Sequence, residues 1–365
     1  MRRVATAFTV LLLAVCGFLY QIRLSGSLPG MRDMLPLLIG VVMFAAVSFV
    51  FAHGRIRMLM EVPWLHYAIA AVLLLALAAF GRRYRGGLYL FGRINPSEFV
   101  KVFFVLFAAA YLARARAAAG CITLRTFAVL AAAFGLLALE IALIRDFGLL
   151  AQLGMTLAAL LFAVSWGWGV AAFAGVAVMT LTAMAHPVGH LATRFSVWLD
   201  PFTDMTGAGW QTLQGLAALV SGGWWGKGIG LGEVHAVPIV SSDFIYAALA
   251  EEIGFAGCAL LLLLCFALFV FPFYPCIRCQ NSAKPIKKGV PPQQKTEGFA
   301  LLVIGIVASL GIQLVLNVAG VLNVLPMTGI TFPLLSHGGC SLIAVLLMYG
   351  LLIACSSTIE EISDT

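Results

Sequence analysis

The chain has 365 residues, of which 62% are hydrophobic and only 10% charged, with a formal net charge of +7 and a mean hydropathy of +1.05. Soluble domains carry about 25% charged residues, so this composition excludes a water-soluble globular domain and makes lipid the solvent. No nucleic-acid partner is expected, and the eight cysteines fall mostly in apolar runs with no disulfide framework. Cys276-Ile-Arg-Cys279 is a single CxxC and reads as reduced thiols at a membrane boundary rather than as a zinc or redox site.

The chain opens on Met1-Arg2-Arg3 and an apolar run from Val4 to Tyr20, similar to a secretory signal. Because apolar segments follow at once, it reads as an uncleaved first membrane helix. A span needs roughly 20 apolar residues, and about ten segments satisfy that rule: 4–21, 34–52, 63–80, 98–114, 126–144, 147–165, 168–186, 243–272, 298–320 and 336–356. The expected fold is all-α: a polytopic integral membrane protein, one membrane domain over 1–365. A long extracytoplasmic loop, 187–242, separates helices 7 and 8, and a cytoplasmic linker covers 273–297. With both termini cytoplasmic, twelve of the 22 Lys and Arg residues fall inside and ten outside, a weak positive-inside bias. The outside excess gathers at Arg82, Arg83, Arg85 and Arg93. A cluster that opposes the topological rule suits an anionic ligand such as a phosphate or pyrophosphate.

Ionisable residues at membrane depth are functional candidates by default. Asn95-Pro96-Ser97-Glu98 with Lys101 forms a polar knot at a helix start, and Glu98 and Lys101 are spaced to pair on one face. Arg145-Asp146 sits between two apolar segments with no room for a soluble loop, so it should face a cavity. Ser221 to Gly230 is Gly-rich and holds Lys227, yet fails the P-loop pattern. A phosphate-approaching loop and an interfacial loop anchored by Trp224 and Trp225 fit it equally. Ser241-Ser242-Asp243 opens a new apolar helix. Asp243 is there either as part of a helix cap or as a general base, and the local pattern does not separate the two. Further along, Ala247, Ala250, Gly254 and Gly257 offer small residues for close packing, and Glu251 and Glu252 read chiefly as structural hydrogen-bonding groups. Gln313 and Asn317 share a face of the next helix. The Gly- and Pro-rich stretch from Pro326 to Ser341 is broken backbone of the kind tolerated in a membrane only along a cavity.

In order along the chain, these pieces resemble the SEDS family (shape, elongation, division and sporulation), the RodA/FtsW-like peptidoglycan glycosyltransferases. Asn95-Pro96-Ser97-Glu98-Phe99-Val100-Lys101 resembles QPSE-x-x-K, and Asp146-Phe147-Gly148 resembles PDLG. Asp200-Pro201, Gly209-Trp210-Gln211 and Ser221-Gly222-Gly223 with Gly226-Lys227-Gly228 are similar to DP, GYQ and SGG-x-x-G-x-G. Asp243-Phe244-Ile245-Tyr246 through Glu251-Glu252-Ile253-Gly254 resembles TDFIFA-x-x-x-EE-x-G. Leu325 to Gly329 and Pro333 to Gly339 resemble LPxTG and PFxSYGG. Arg145 stands for a proline, Asn95 for a glutamine and His337 for a tyrosine. Pro238 to Asp243 lacks the Glu and His of PE-x-HTD.

The resemblance implies an inverting polymerase of lipid II, a disaccharide-pentapeptide on undecaprenyl pyrophosphate, at the outer face of the bacterial cytoplasmic membrane. Asp243 is then the base for the acceptor sugar hydroxyl. Arg82, Arg83, Arg85, Arg93, Glu98, Lys101, Asp146, Arg194, Lys227 and Ser336 are the implied substrate-binding set. A divalent cation, Mg2+ or Mn2+, suits the pyrophosphate, although no dedicated metal cage is visible, and no organic cofactor is expected. The implied partner is a class B penicillin-binding protein, a transpeptidase, within a cell elongation or division complex. The other readings are a lipid II flippase and a non-catalytic scaffold for the transpeptidase.

Overall fold

The computed structural model describes residues 2–25, 31–52, 55–84, 87–91, 94–185, 189–233, 242–274, 292–336 and 338–364. Of the expected linker 273–297, residues 275–291, with Cys276 and Cys279, lie outside the described residues, as do residues 234–241 and His337; residues 292–297 belong instead to the first turns of a helix that starts at Pro292.

Helices dominate: α1 Arg2–Ser25, α2 Met31–Val50, the single turn α3 Arg57–Met60, α4 Pro63–Phe80, α5 Ser97–Ala119, α6 Leu124–Ile144, α7 Phe147–Val164 and α8 Trp166–Ala185. They continue as α9 Gly189–Leu199, a 3-10 turn Pro201–Asp204, α10 Ala208–Gly222, α11 Ile245–Val270, α12 Pro292–Val321 and α13 Gly339–Asp364. Each of the ten expected segments falls on a helix. Among the described residues nine helices are long and apolar enough to cross a membrane, and α8 adds the shorter apolar stretch Trp166–Met179. The protein is therefore a multi-pass membrane protein. Within the expected loop 187–242 lie α9, the 3-10 turn and α10.

Local chemistry sets the boundaries. Pro63 occupies the first turn of α4, where its missing N–H costs nothing. Thr123 caps α6, its hydroxyl accepting from Thr126 N at 3.2 Å, and Asp146 caps α7, accepting from Leu149 N at 3.0 Å. Arg145 turns the chain between α6 and α7 at a φ of 62°. The short hairpin of β1 (Arg82–Tyr84) and β2 (Gly87–Tyr89) was not foreseen in an all-helical reading; Arg82 pairs with Tyr89 and Arg83 with Leu88. Three-residue strands carry too little alternation to register as a pattern.

The last helix is the hub. Along its 22-residue span α13 is 83% buried, against 61% for α7 and α12, and it packs on α1, α2, α5 and α12. Because consecutive spans run in opposite directions, the C-terminal ends of α1, α4, α6 and α12 share one end of the bundle with the N-terminal ends of α5, α7, α11 and α13. The polar residues singled out in the sequence meet there.

Candidate functional site

The site is built around the turn Ser242–Phe244, just before α11. The helix N-cap position falls on Phe244 and no side chain caps it. Asp243 stands one residue before that position. Its carboxylate and the Arg194 guanidinium both border Gly329: a methyl group built there would sit in ordinary contact with each, 3.7 Å from Asp243 Oδ2 and 3.7 Å from an Arg194 amine. Gly329 holds a φ of +76°, a conformation that favours glycine. Burial pushes the Asp243 carboxyl up to about 6; the Ser242 hydroxyl and Arg194 oppose the rise, and Glu98 adds to it.

The segment 322–338 positions this aspartate from below. Asn317 Nδ2 on α12 donates to the main-chain oxygens of Asp243 at 3.0 Å and Ile330 at 2.7 Å. Ser336 Oγ donates to Ser242 O at 2.6 Å and accepts from Phe332 N at 2.8 Å. Arg194, on α9, is fixed by donation to Met327 O at 3.1 Å. Broken backbone at this depth satisfies its carbonyls with these side chains, as lipid-surrounded main chain must.

Behind the aspartate runs a polar track. Lys101 Nζ lies 2.5 Å from Glu98 Oε2 and donates to Gln313 Oε1 at 3.2 Å. Gln152 Nε2 donates to Ser309 O at 3.0 Å, and Gln313 Nε2 to Thr331 O at 3.1 Å. Lys101 is only 3% exposed, a depth at which an ammonium persists only when paired. Asp146 joins the same neighbourhood: burial raises its carboxyl, its bond from Leu149 N opposes this, and Glu98, Lys101 and Arg194 all act on it. Tyr89, which the sequence gave no reason to select, is raised by burial and then by Asp243, Glu98, Cys340 and Asp146. Its phenol belongs to the same acidic neighbourhood.

Of the substrate-binding set, Glu98, Lys101, Asp146, Arg194 and Ser336 thus come together with Asp243. Arg82 is exposed on β1. Arg83 is described in its backbone only, and Arg85 and Arg93 lie outside the described residues. Lys227 is engaged elsewhere, donating to Glu251 Oε1 at 2.7 Å. Glu251 also accepts from Glu233 N at 3.1 Å, and Glu252 is paired by the two terminal amines of Arg23. Each of the two glutamates is thus paired with a cation. Among the described residues no group of three or more His, Cys, Asp or Glu side chains is arranged to hold a metal.

Fold and site together define a multi-pass helical membrane protein with a half-buried carboxylate and a guanidinium at one mouth of its bundle. The chain belongs to the FtsW/RodA/SpoVE family of cell cycle proteins, whose model matches residues 3–361. It is 30% identical over 305 residues to a protein named probable peptidoglycan glycosyltransferase FtsW of Aliivibrio salmonicida (strain LFI1238), covering 80% of this chain and 72% of that one. It is 35% identical over 163 residues to peptidoglycan glycosyltransferase RodA of Mycobacterium tuberculosis (strain ATCC 25618 / H37Rv), covering 45% of this chain. That match spans 32%, about a third, of the mycobacterial protein's length. The rod shape determining protein RodA of Thermus thermophilus shares the fold, with a TM-score of 0.63 at 22% identity over 96% of this chain and 95% of that one. So does a chain from a peptidoglycan synthase complex described as coordinating polymerization and crosslinking, with a TM-score of 0.70 at 22% identity over 96% of both chains.

Proposed function

We propose that this chain is an inverting peptidoglycan glycosyltransferase that polymerises lipid II, with Asp243 as general base. The observation that carries the reading is the Asp243 carboxylate itself, at the head of α11, sharing the border of Gly329 with the Arg194 guanidinium and pushed up to about 6 by burial. A base serves best when its pKa lies near the working pH. Asp243 takes the proton from the acceptor sugar 4-hydroxyl as that oxygen attacks the anomeric carbon, and the lipid pyrophosphate leaves. Arg194 and Lys101, with Arg82, Arg83, Arg85 and Arg93, supply positive charge for the phosphates. Glu98 and Asp146 hold those cations in place, and Ser336 acts through the main chain of Ser242. A site at the mouth of the bundle reaches a head group whose tail remains in the bilayer.

In this reading the protein sits in the bacterial cytoplasmic membrane with both termini inside and the Asp243 mouth outside, where glycan strands grow. Asp243, Asp146 and Glu98 do not form a cage that holds a cation by itself. A divalent ion, Mg2+ or Mn2+, is proposed only as one that arrives on the pyrophosphate. The relatives' names support the activity, and the fold shared with a chain of a synthase complex supports a class B penicillin-binding protein as partner in an elongation or division complex.

The test is lipid II polymerisation by purified protein in vesicles, with a candidate transpeptidase present, for the parent and Asp243→Asn. The parent is expected to make glycan strands and the variant to bind lipid II without extending them. Polymerisation by the variant at the parental rate would remove Asp243 as base. If neither form polymerises but both carry lipid II across the bilayer, the protein is a flippase. If neither happens and the transpeptidase still binds, it is a scaffold.

A further inference from the structure

Asn317 is 1% exposed, and its amide nitrogen serves two main-chain carbonyls from different parts of the chain, Asp243 O at 3.0 Å and Ile330 O at 2.7 Å. Both partners are acceptors, so the amide cannot be turned over without setting its oxygen against two carbonyls. The cost of this orientation is visible in the same side chain: Asn317 Oδ1 is buried and has no hydrogen-bond partner. An unmet buried acceptor opposes folding. A residue that keeps one in order to make two directed donations is held for geometry rather than for net stability. The geometry it fixes is specific. Ile330 follows Gly329, which borders both the Arg194 guanidinium and the Asp243 carboxylate, and Arg194 is in turn held by Met327 O. Drawing Asp243 O and Ile330 O to one amide therefore fixes the main chain that carries the carboxylate against the main chain that the guanidinium borders.

We propose that Asn317 is a positioning residue for Asp243, acting through the main chain to hold the half-buried carboxylate at the border of Gly329 that it shares with Arg194. The assignment rests on the glycosyltransferase reading for its effect on rate, but not for its effect on Asp243 itself. The groups acting on that carboxylate are Ser242, Arg194, Glu98 and Tyr89. None of them is altered by a change at Asn317.

The experiment titrates the Asp243 carboxyl directly, by infrared difference spectra of the full chain with isotope-labelled aspartate, the Asp243 band being identified as the one lost in Asp243→Asn. Parent, Asn317→Ser and Asn317→Ala are compared. Released from the clamp, the carboxylate gains water, and its midpoint moves down from about 6 by about one unit in the alanine variant. Serine keeps one donor, and its midpoint falls between the other two. In the polymerisation assay kcat falls on the order of 100-fold, the scale of a small misplacement of a reacting group, while KM for lipid II stays near the parent's. An unmoved Asp243 midpoint in folded Asn317→Ala overturns the proposal, as does a lower rate that merely tracks a smaller folded fraction. Should the alanine variant fail to fold, the serine variant decides by the same readout. If the parent fails to polymerise lipid II, the functional reading falls, while the titration still judges the clamp.

Discussion

Two acidic centres stand at the head of α11, and the fold treats them in opposite ways. Glu251 and Glu252 are met on every side: Lys227 and Glu233 N on the first, both terminal amines of Arg23 on the second. The main chain closes around them too, with Lys227 N donating to Glu251 O and Gly228 N to Glu252 O, each at 2.9 Å. To admit that loop α11 breaks at Gly254, at φ 67° and ψ −174°. Among the described residues the charge of Asp243 is favoured by the Ser242 hydroxyl and the Arg194 guanidinium while burial works against it. A carboxylate whose charge is neutralised in place can do little but hold the fold. One that is half-buried and near a cation without being ion-paired keeps the capacity to take a proton.

The sharpest way to break this contrast is to neutralise each centre in turn. Asp243→Asn is expected to lower polymerisation by between about 100- and 10,000-fold, the usual worth of a general base, with the thermal midpoint preserved. The parent's pH profile carries the same information. Because the Asp243 pKa is raised to about 6, the carboxylate form is lost as pH falls through that value. The rate should therefore decline below about pH 6 on a limb that is absent from the residual activity of Asp243→Asn. A parental limb lying near 4 would mean that the carboxylate is solvated in the working protein.

At the other centre, Arg23→Ala strands Glu252, whose side chain is fully buried, without its cation. Breaking a buried pair in this way costs about 3–5 kcal/mol, and the lower end applies because Arg23 is 32% exposed. The readout is a fall in thermal midpoint with no displacement of the acidic limb in the protein that remains folded. A displaced limb would join the two centres into one. Gly254→Ala follows with about 1–3 kcal/mol, the strain of a glycine-only backbone region. Its new methyl would also stand 2.3 Å from Gly226 N, a contact that only a shift of main chain relieves.

Much of this contrast was legible before any coordinates. Lipid requires long apolar runs, so the spans announce themselves, and a charge at the mouth of one, as at Asp243 or Glu98, stands out for the same reason. The pair Glu98 and Lys101 follows from helical spacing alone. The partners of Glu252 do not: Arg23 lies 229 residues away in sequence, and nothing in either neighbourhood points to the other. Gly254 was legible as a small residue but not in its role, since a packing glycine and one that breaks a helix to receive a loop look alike. Asn317 showed its face, while its partners are carbonyls, which every residue possesses and no sequence distinguishes. Tyr89 carried no signal, because the hairpin that delivers it is too short to leave a period.

Lys227 tests the contrast most finely, because its local sequence allowed either side. In a Gly-rich loop near a charged mouth it resembles a phosphate ligand, and yet its ammonium is 2.7 Å from Glu251 Oε1. That bond, ahead of any other influence, raises its pKa. A lysine held this way is not free to follow a pyrophosphate, and Glu251 keeps its bond from Glu233 N when the lysine is removed. Lys227→Gln should therefore have the smallest effect of the series: a slight fall in thermal midpoint, with KM for lipid II and the acidic limb both at parental values. A several-fold rise in KM with the midpoint unchanged would move Lys227 to the side of Asp243. The boundary between the structural and the reacting halves of the α11 mouth would then run between Lys227 and Arg23 rather than between Asp243 and Glu251.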